Sequence, residues 1–313
     1  MSRSSELTIV LNPEAGGGGR FAEARIEGLR TLAGSGAALF VTNKRDLTDA
    51  VAEGVRERGV GTVGIIGGDG TVSAVVSALH RAYGDAPLPR IALLRGGTMN
   101  TIANSFGLPR RQPEELLRRL LASRSSDVAR RATLKVGGNV GFLFSAGVMV
   151  GFLKALYGPS ANSAGPLSAF RLLAKGSWQA LMSSGPIPEI ETPLLATLTV
   201  DDEVHPARRY TVFGAATVEQ VGLGFRPFTR AHECLDQFQV FAFHASTQSL
   251  VRQLPRIRRG LPMAKGLGFD PVAKRLLIDG DGTPVPYALD GELQPSADRL
   301  MVEVGPQVEI RKF

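Results

Sequence analysis

A glycine-rich segment with one carboxylate, Gly67-Gly68-Asp69-Gly70-Thr71, separates a short apolar run from a segment with helical periodicity. Glycines allow backbone N–H groups to approach phosphate oxygens, and the N-terminus of the following helix favours negative charge. Asp69 would repel bare phosphates unless a divalent cation or a proton transfer is involved. The segment therefore predicts a site for a metal-bound nucleoside triphosphate, in preference to a tight turn that the aspartate merely caps.

Two better-known phosphate-binding motifs are excluded by the residues around the glycines. No Gly-Lys-Ser/Thr sequence follows them, as a Walker A loop requires. The earlier glycines at 16–19 lack the spacing of a dinucleotide-binding fingerprint, and a flexible loop would explain them equally well.

Phosphoryl transfer also needs a carboxylate that accepts the proton of the attacking hydroxyl. Near the C-terminus, Asp290-Gly291-Glu292 supplies two candidates. Taken alone, this tripeptide is more typical of a β-turn, because Asp-Gly commonly forms one.

Four segments occur in the order found in diacylglycerol and sphingosine kinases: Asn12-Pro13, the glycine-rich segment 67–71, Gly97-Thr98-Met99-Asn100 and Asp290-Gly291-Glu292. From Leu7 to Lys312 the chain resembles the bacterial lipid kinases of the diacylglycerol kinase catalytic-domain family. The resemblance implies an ATP-dependent kinase that uses Mg²⁺ and phosphorylates a hydroxyl of diacylglycerol or a related lipid. It further implies an ATP cleft between an α/β domain and a β-rich domain.

The same resemblance assigns roles to individual residues. Glu292 matches the proton acceptor of the bacterial members, with Asp290 beside it, whereas in some sphingosine kinases the base role is given to the residue that Asp69 matches. We favour Glu292 as the base and Asp69 as the group that handles magnesium and water at the phosphates. The residues implied to contact ATP are Asn12, Thr42, Gly67, Gly68, Asp69, Gly70, Thr71, Val72, Ser73, Thr98 and Asn100.

The chain departs from the family pattern in three places. Ala74 stands where a carboxylate is common, and Thr101 stands where an aspartate usually follows the asparagine of the second motif. The nearest equivalent of the family's structural metal turn is 234–238, which lacks the glycine, so the sequence does not decide whether a structural metal binds there. A catalytically degenerate nucleotide- or lipid-binding protein is therefore one alternative, and an NAD kinase, which shares the glycine-rich motif, is another.

Strand and helix patterns alternate over the first 130 residues and predict a parallel sheet with its ligand site at the carboxyl ends of the strands. The predicted elements include a helix over 72–83 that follows the glycine-rich segment. Strand-like segments then dominate, with helices predicted near 148–157 and 166–183. The expected architecture is α/β plus mainly β. Its expected parts are an N-terminal parallel-sheet nucleotide domain (1–128), a C-terminal antiparallel, sandwich-like lipid-substrate domain (129–290) and a final segment (291–313) that returns to the first domain.

Composition limits the partners and the compartment. The chain has 313 residues, of which 43% are hydrophobic and 21% charged, which is typical of a globular protein with a sizeable core. A single cysteine, Cys234, excludes a disulfide framework. The net charge of +7 favours an anionic partner, while 6% aromatic residues and the lack of a recognised motif argue against nucleic acid. We expect a cytoplasmic protein, with peripheral binding to the inner face of the membrane and homodimer formation left open.

A basic segment at 250–275 is a candidate for contact with anionic lipid. It contains seven Lys and Arg residues interleaved with apolar ones and a single acid, Asp270. Pro255 and Pro262 are expected to interrupt any long amphipathic helix there. A solvated basic face is an equally good interpretation.

Overall fold

The chain forms two compact units in the computed structural model, which describes residues 7–16, 21–42, 45–123, 125, 127–157, 170–171, 173–174, 194–233 and 235–313. The first unit consists of the residues up to Arg131 together with Pro306–Phe313, and the second consists of Ala132–Gly305.

The first unit is built on a six-stranded, mostly parallel sheet. Its strand order is β2-β1-β3-β4-β21-β5, in which β21 runs parallel to β4 and antiparallel to β5. Residues in β1 and β3 are buried along their whole length, as expected for central strands of a sheet covered on both faces. The strands are β1 (Leu7–Leu11), β2 (Ala38–Val41), β3 (Thr62–Ile66), β4 (Arg90–Leu93), β5 (Val128–Arg131) and β21 (Val308–Arg311).

Five described helices accompany this sheet. They are α1 (Glu23–Ala33), α2 (Arg45–Glu57), α3 (Asp69–Tyr83), α4 (Thr101–Ser105) and α5 (Pro113–Ala122). Helix α3 starts at Asp69 rather than at the predicted Val72, because Gly68 already serves as its N-cap and accepts the N–H of Val72. The second half of the glycine-rich segment is therefore the first turn of a helix.

The second unit contains two six-stranded antiparallel paths, β11-β10-β17-β20-β6-β7 and β15-β14-β13-β8-β18-β19, with β16 paired to β14 and a two-stranded sheet of β9 and β12. Buried residues from both large sheets, among them Leu198, Phe213, Val240, Ile278 and Val302, share one hydrophobic core. This is the packing of a β-sandwich. The predicted α/β plus mainly β fold class is therefore confirmed.

The bounds of the elements in the second unit follow in chain order. The strands are β6 (Leu134–Val136), β7 (Asn139–Gly141), β8 (Leu143–Gly147), β9 (Leu194–Leu195), β10 (Thr197–Val200), β11 (Glu203–Val204), β12 (Arg209–Tyr210), β13 (Val212–Ala216), β14 (Phe238–Phe243), β15 (Gly268–Phe269), β16 (Val272–Ala273), β17 (Arg275–Asp279), β18 (Val285–Leu289), β19 (Glu292–Ala297) and β20 (Arg299–Val304). The described helices are α6 (Val148–Tyr157) and α7 (Thr247–Arg258).

The boundaries differ from those expected. The second unit starts at Ala132 rather than at 129, and it continues to Gly305 rather than to 290. The physical reason for the second difference is strand pairing: β19 pairs with β18, and β20 pairs with β17 and β6. Only β21 takes the chain back into the first sheet.

Some predicted features fall outside the described part of the chain. These are glycines 17–19, Cys234 and most of the predicted helix at 166–183, of which 170–171 and 173–174 are described as helical. Among the described helices, none combines the length and the apolar character needed to cross a bilayer.

Candidate functional site

Two glycine turns in the first unit, one after β3 and one after β4, lie against each other. The N–H of Gly97 donates to the carbonyl of Gly67 at 3.1 Å. A Cβ atom added to Gly97 would overlap with the Cα of Gly68. The two motifs singled out in the sequence are therefore neighbours, and their contact requires a residue without a side chain at 97.

Asn12, at the end of β1, joins the same cluster. Its Nδ2 donates to the Thr71 hydroxyl at 3.0 Å, and its backbone N–H donates to the carbonyl of Ile66 at 3.0 Å. Its Oδ1 in turn accepts the N–H of Glu14 at 3.0 Å, which closes the loop that follows β1. Asn12 thus links the carboxyl end of β1 to the end of β3 through its backbone and to the first turn of α3 through its side chain.

Asp69 links the first glycine turn to helix α4. Its Oδ2 accepts the N–H of Thr101 and its Oδ1 that of Ile102, both at 2.8 Å. Burial raises the pKa of this carboxyl, and these two amides, the Thr101 hydroxyl and Arg95 oppose that shift. Both carboxylate oxygens therefore serve the backbone, and the expected role of Asp69 in holding magnesium stays a prediction.

Asn100 closes the second turn. It has a left-handed backbone conformation, with φ of 49°, and its side-chain amide accepts the N–H of Gly97 at 3.2 Å and donates to the carbonyl of the same residue at 2.7 Å. Thr98 is half-buried inside the turn that these two bonds define. Two hydrogen bonds between Gly97 and Asn100 thus close this turn.

Arg95 was not among the residues predicted from the sequence. Its guanidinium donates to the carbonyls of Leu108 at 2.7 Å and Pro109 at 2.8 Å, and to Asn104 Oδ1 at 3.0 Å. It is buried, with 8% of its surface exposed, and burial lowers its pKa. The sequence feature that could have identified Arg95 is its position directly between an apolar strand and two glycines.

Thr42, Val72 and Ser73 are also predicted to contact ATP, and all three are buried. Thr42 lies buried after β2, with its N–H on the carbonyl of Leu11 at 2.9 Å. Val72 and Ser73 are buried within α3, and the Ser73 hydroxyl donates to the carbonyl of Asp69 at 3.3 Å. All three side chains are buried, and their predicted contact with ATP stays a prediction.

Ala74 and Thr101, two of the three departures from the family pattern, lie in different surroundings. Ala74 is exposed on α3. Thr101 is buried and provides both its N–H and its hydroxyl to Asp69. Threonine at 101 therefore adds a hydrogen-bond partner for Asp69, where a second carboxylate would add like charge.

The late tripeptide forms a tight hairpin turn in the second unit. Leu289 pairs with Glu292 across β18 and β19, and Asp290 and Gly291 have φ of 49° and 83° between them. Two successive left-handed residues are the signature of a two-residue type I′ turn. The β-turn that the tripeptide predicted on its own is therefore present, whatever its chemical role.

Asp290 and Glu292 differ in their exposure to solvent. The Asp290 carboxylate is buried and accepts the N–H groups of Phe142, at 3.0 and 3.1 Å, and Leu143, at 2.9 Å. The N–H of Asp290 donates back to the carbonyl of Leu143 at 2.8 Å. The side chain of Glu292 is exposed. Asp290 therefore positions the turn, and Glu292 is the carboxylate of this pair that solvent and ligands can reach.

Asp236 is the carboxylate of the segment 234–238, which is the nearest equivalent of the family's structural metal turn. This exposed carboxylate pairs with Lys274 Nζ at 2.9 Å, and that ammonium group lowers its pKa. Across the residues that the structure describes, no three His, Cys, Asp or Glu side chains are grouped as a metal site.

Residues 6–130 match the family model described as the diacylglycerol kinase catalytic domain, which confirms the predicted family resemblance over the first unit. No curated protein matches the chain significantly.

Three solved structures from Bacillus anthracis str. Sterne share the fold. One, "a putative diacylglycerol kinase", has a TM-score of 0.72 at 13% identity, and the alignment covers 99% of both chains. Two further structures, also described as diacylglycerol kinases, have TM-scores of 0.69 and 0.65 at 14% identity, with 98–99% of each chain covered. At this identity, the likeness shows the two-unit architecture and leaves the activity of the chain open.

Replacing Gly97 by alanine should destabilise the first unit. The added methyl group would meet backbone atoms of Gly68, so the two turns must move apart, and we expect a loss of about 1–3 kcal/mol of unfolding free energy. Denaturant unfolding measures this. Gly28→Ala is the matched control, because Gly28 lies exposed in α1 with open space around its Cα, and it should gain about 0.5–1 kcal/mol. Equal stability of both variants would contradict the close contact.

Replacing Asp69 by asparagine should loosen helix α4. The new amide nitrogen would face a backbone N–H, leaving one donor unsatisfied at a cost of about 1–3 kcal/mol. Hydrogen exchange at Thr101 and Ile102 should accelerate, whereas Asp85→Asn, on an exposed loop, should leave it unchanged. Burial raises the pKa of Asp69 in the folded protein above that in the unfolded chain. The free energy of unfolding should therefore fall as the pH rises from the ordinary aspartate pKa to the raised one. In the asparagine variant this pH dependence should be weaker. Unaltered exchange at both amides would refute the link.

Proposed function

We propose that the chain is an ATP-dependent lipid kinase that transfers the γ-phosphoryl group to a hydroxyl of diacylglycerol or a related lipid. The observation that carries this proposal is the contact between the two glycine turns at the carboxyl ends of adjacent parallel strands, within the residues that match the kinase family model. Ligands of open α/β sheets bind at this end of the strands.

The glycine-rich turn is suited to the phosphates of ATP. Its residues Asp69, Gly70 and Thr71 form the first turn of α3, where N–H groups have no acceptor inside the helix and the helix dipole favours anions. Glycines at 67 and 68 keep side chains out of the approach. We assign the triphosphate to this turn, with Asn12 and Thr98 beside it.

Magnesium fits this site as part of the nucleotide. Mg²⁺ keeps several waters and is commonly held by substrate phosphates with one or two carboxylates, so a full protein ligand set is unnecessary. When bound, it would neutralise charge on the β- and γ-phosphates. Asp69 is the residue we propose to hold it, through waters, since both its oxygens already accept amide hydrogens.

Glu292 is the proposed general base. It would accept the proton of the lipid hydroxyl while that oxygen bonds to the γ-phosphorus and the bond from phosphorus to the β,γ-bridging oxygen breaks, releasing ADP. The hairpin turn held by Asp290 fixes the backbone that carries Glu292. The side chain of Glu292 itself is exposed and so accessible to an acceptor.

The proposed phosphoryl acceptor is a membrane lipid, so the reaction would take place at a membrane surface. We propose that the protein works peripherally at the cytoplasmic face of a membrane, where diacylglycerol-like lipids present their hydroxyl groups.

The reaction itself is tested by incubating the purified protein with γ-labelled ATP, magnesium and mixed-lipid vesicles. The panel contains diacylglycerol, monoacylglycerol, sphingosine and ceramide, with NAD as the control acceptor. Label on a lipid is the expected result and names the substrate. Label on NAD would overturn the lipid assignment. ATP binding without any transfer would favour a degenerate, regulatory protein.

Replacing Glu292 by glutamine should lower turnover by about 10²–10⁴-fold, because the amide cannot accept the hydroxyl proton. ATP binding, measured by titration calorimetry, should stay near wild type. Glu303→Gln is the matched control, since Glu303 is also an exposed strand residue of the second unit, and its turnover should be unchanged. Unchanged turnover in the Glu292 variant would remove this residue from the base role.

A further inference from the structure

The segment from 237 to 269 carries charged side chains of positive sign only. It contains five Lys and Arg residues and no Asp or Glu. Most of it folds as β14, α7 and the loop that follows α7. The five cations are Arg252, Arg256, Arg258, Arg259 and Lys265, and all are exposed.

Helix α7 places three of these cations on one face. Arg252, Arg256 and Arg259 follow one another at four and three residues, which aligns them along the helix and its C-cap. Ile257 is buried and Leu250 packs partly, both on the opposite side, within a cluster that includes Phe241 and Phe243 of β14. The arginines therefore point away from the sheet.

This helix forms despite Pro255. The sequence predicted that the proline would interrupt it, yet α7 continues to Arg258 and is capped by Ser246, whose hydroxyl accepts the N–H of Ser249. Packing of the apolar side against the sheet outweighs the one hydrogen bond that proline cannot donate.

The structure divides the basic segment 250–275 into paired and unpaired cations. Lys274 pairs with Asp236 at 2.9 Å, and Arg275 pairs with Asp202 at 2.6 Å. Within the described part of the chain, Arg252, Arg256 and Arg259 have no carboxylate within 4.0 Å. Their positive charge is therefore available to a partner.

An exposed leucine stands next to this face. Leu261 is 43% exposed, and its N–H donates to the carbonyl of Arg256 at 3.2 Å. Arg256 Nε donates to the carbonyl of Pro262 at 2.6 Å, which fixes the loop against the helix. We define Arg252, Arg256, Arg259 and Leu261 as the α7 basic face.

We propose that the α7 basic face docks the protein on an anionic lipid bilayer. Cations attract anionic headgroups, and an apolar side chain beside them gains by leaving water for the acyl boundary. A nucleic acid would use the cations and gain nothing from the leucine, so the combination favours lipid. The proposal rests on the proposed lipid kinase for its biological meaning, because it names the surface by which such an enzyme meets its substrate's membrane.

The test is sedimentation of the full-length protein with vesicles, without ATP or acceptor lipid. Vesicles of phosphatidylcholine mixed with phosphatidylglycerol are compared with phosphatidylcholine alone. We expect binding only to the mixed vesicles, weakening with added salt as charges are screened. The variant R252Q/R256Q/R259Q should lose about 100-fold in partitioning, because each cation at the surface contributes a factor of about five.

Two further variants keep the outcome interpretable. K135Q/R209Q/R299Q removes the same charge from exposed residues on β6, β12 and β20, and it should bind close to wild type. Leu261→Ser should lower binding several-fold, and this loss should persist at high salt since it is not electrostatic. Circular dichroism and thermal unfolding check that each variant is folded.

Three results would overturn the proposal. Binding to a duplex DNA oligonucleotide is measured in parallel, and the three results are unchanged vesicle and DNA binding in the α7 triple variant, unchanged vesicle binding with weakened DNA binding in that variant, and equal losses of vesicle binding in both triple variants. Phosphoryl transfer to detergent-dispersed diacylglycerol separates this test from that of the proposed function. Transfer without docking would overturn the docking surface alone, and docking without transfer would overturn the kinase assignment alone.

Discussion

The close contact between two glycine turns is the constraint on which the rest of the first unit depends. Gly97 lies so near Gly68 that the backbones after β3 and β4 touch directly. This contact places Asp69 within reach of α4, and α4 in turn bears the Asn104 side chain that Arg95 holds. Asn12, Thr101 and Ile102 each make a hydrogen bond to a residue of the first turn, and Asn100 makes two to Gly97 in the second.

Buried carboxylates serve as backbone clamps in both units. Asp69 accepts two amides at the start of α4, and Asp290 accepts two amides at the start of β8. In each case an ionisable side chain that sequence motifs assign to chemistry also satisfies N–H groups that would otherwise be buried without partners. Such clamps cost desolvation, and the raised pKa of Asp69 records that cost. The exposed carboxylate next to the second clamp, Glu292, is left with the chemical role that we propose.

Helix α7 shows how tertiary packing separates functions along one stretch of sequence. Pro255 disfavours a helix locally. The helix forms nevertheless, because Ile257 and Leu250 pack in an apolar cluster. Once the helix forms, its spacing separates the apolar side from the arginines. The neighbouring cations Lys274, between β16 and β17, and Arg275, at the start of β17, instead pair with Asp236 and Asp202, which lie outside the strands. A uniform basic segment thus becomes an ion-paired part and an uncompensated part.

The sequence by itself determined the fold class and the motif residues. Apolar runs alternating with helical periodicity identified β1, β3 and α3, and Asn12, Asp69, Asn100 and the motif glycines of the first unit lie together at the carboxyl ends of β1, β3 and β4, while Asp290 and Glu292 lie in the second unit. These features are local, because they depend on spacing within a few residues. Only the tertiary structure decided that the second unit extends to Gly305, that Arg95 is buried at the site and that Asp290 is a clamp. It also decided which cations remain unpaired. Each of these depends on partners far away in the sequence, such as Phe142 for Asp290, and no local pattern records which distant backbone groups or charges will be adjacent in space.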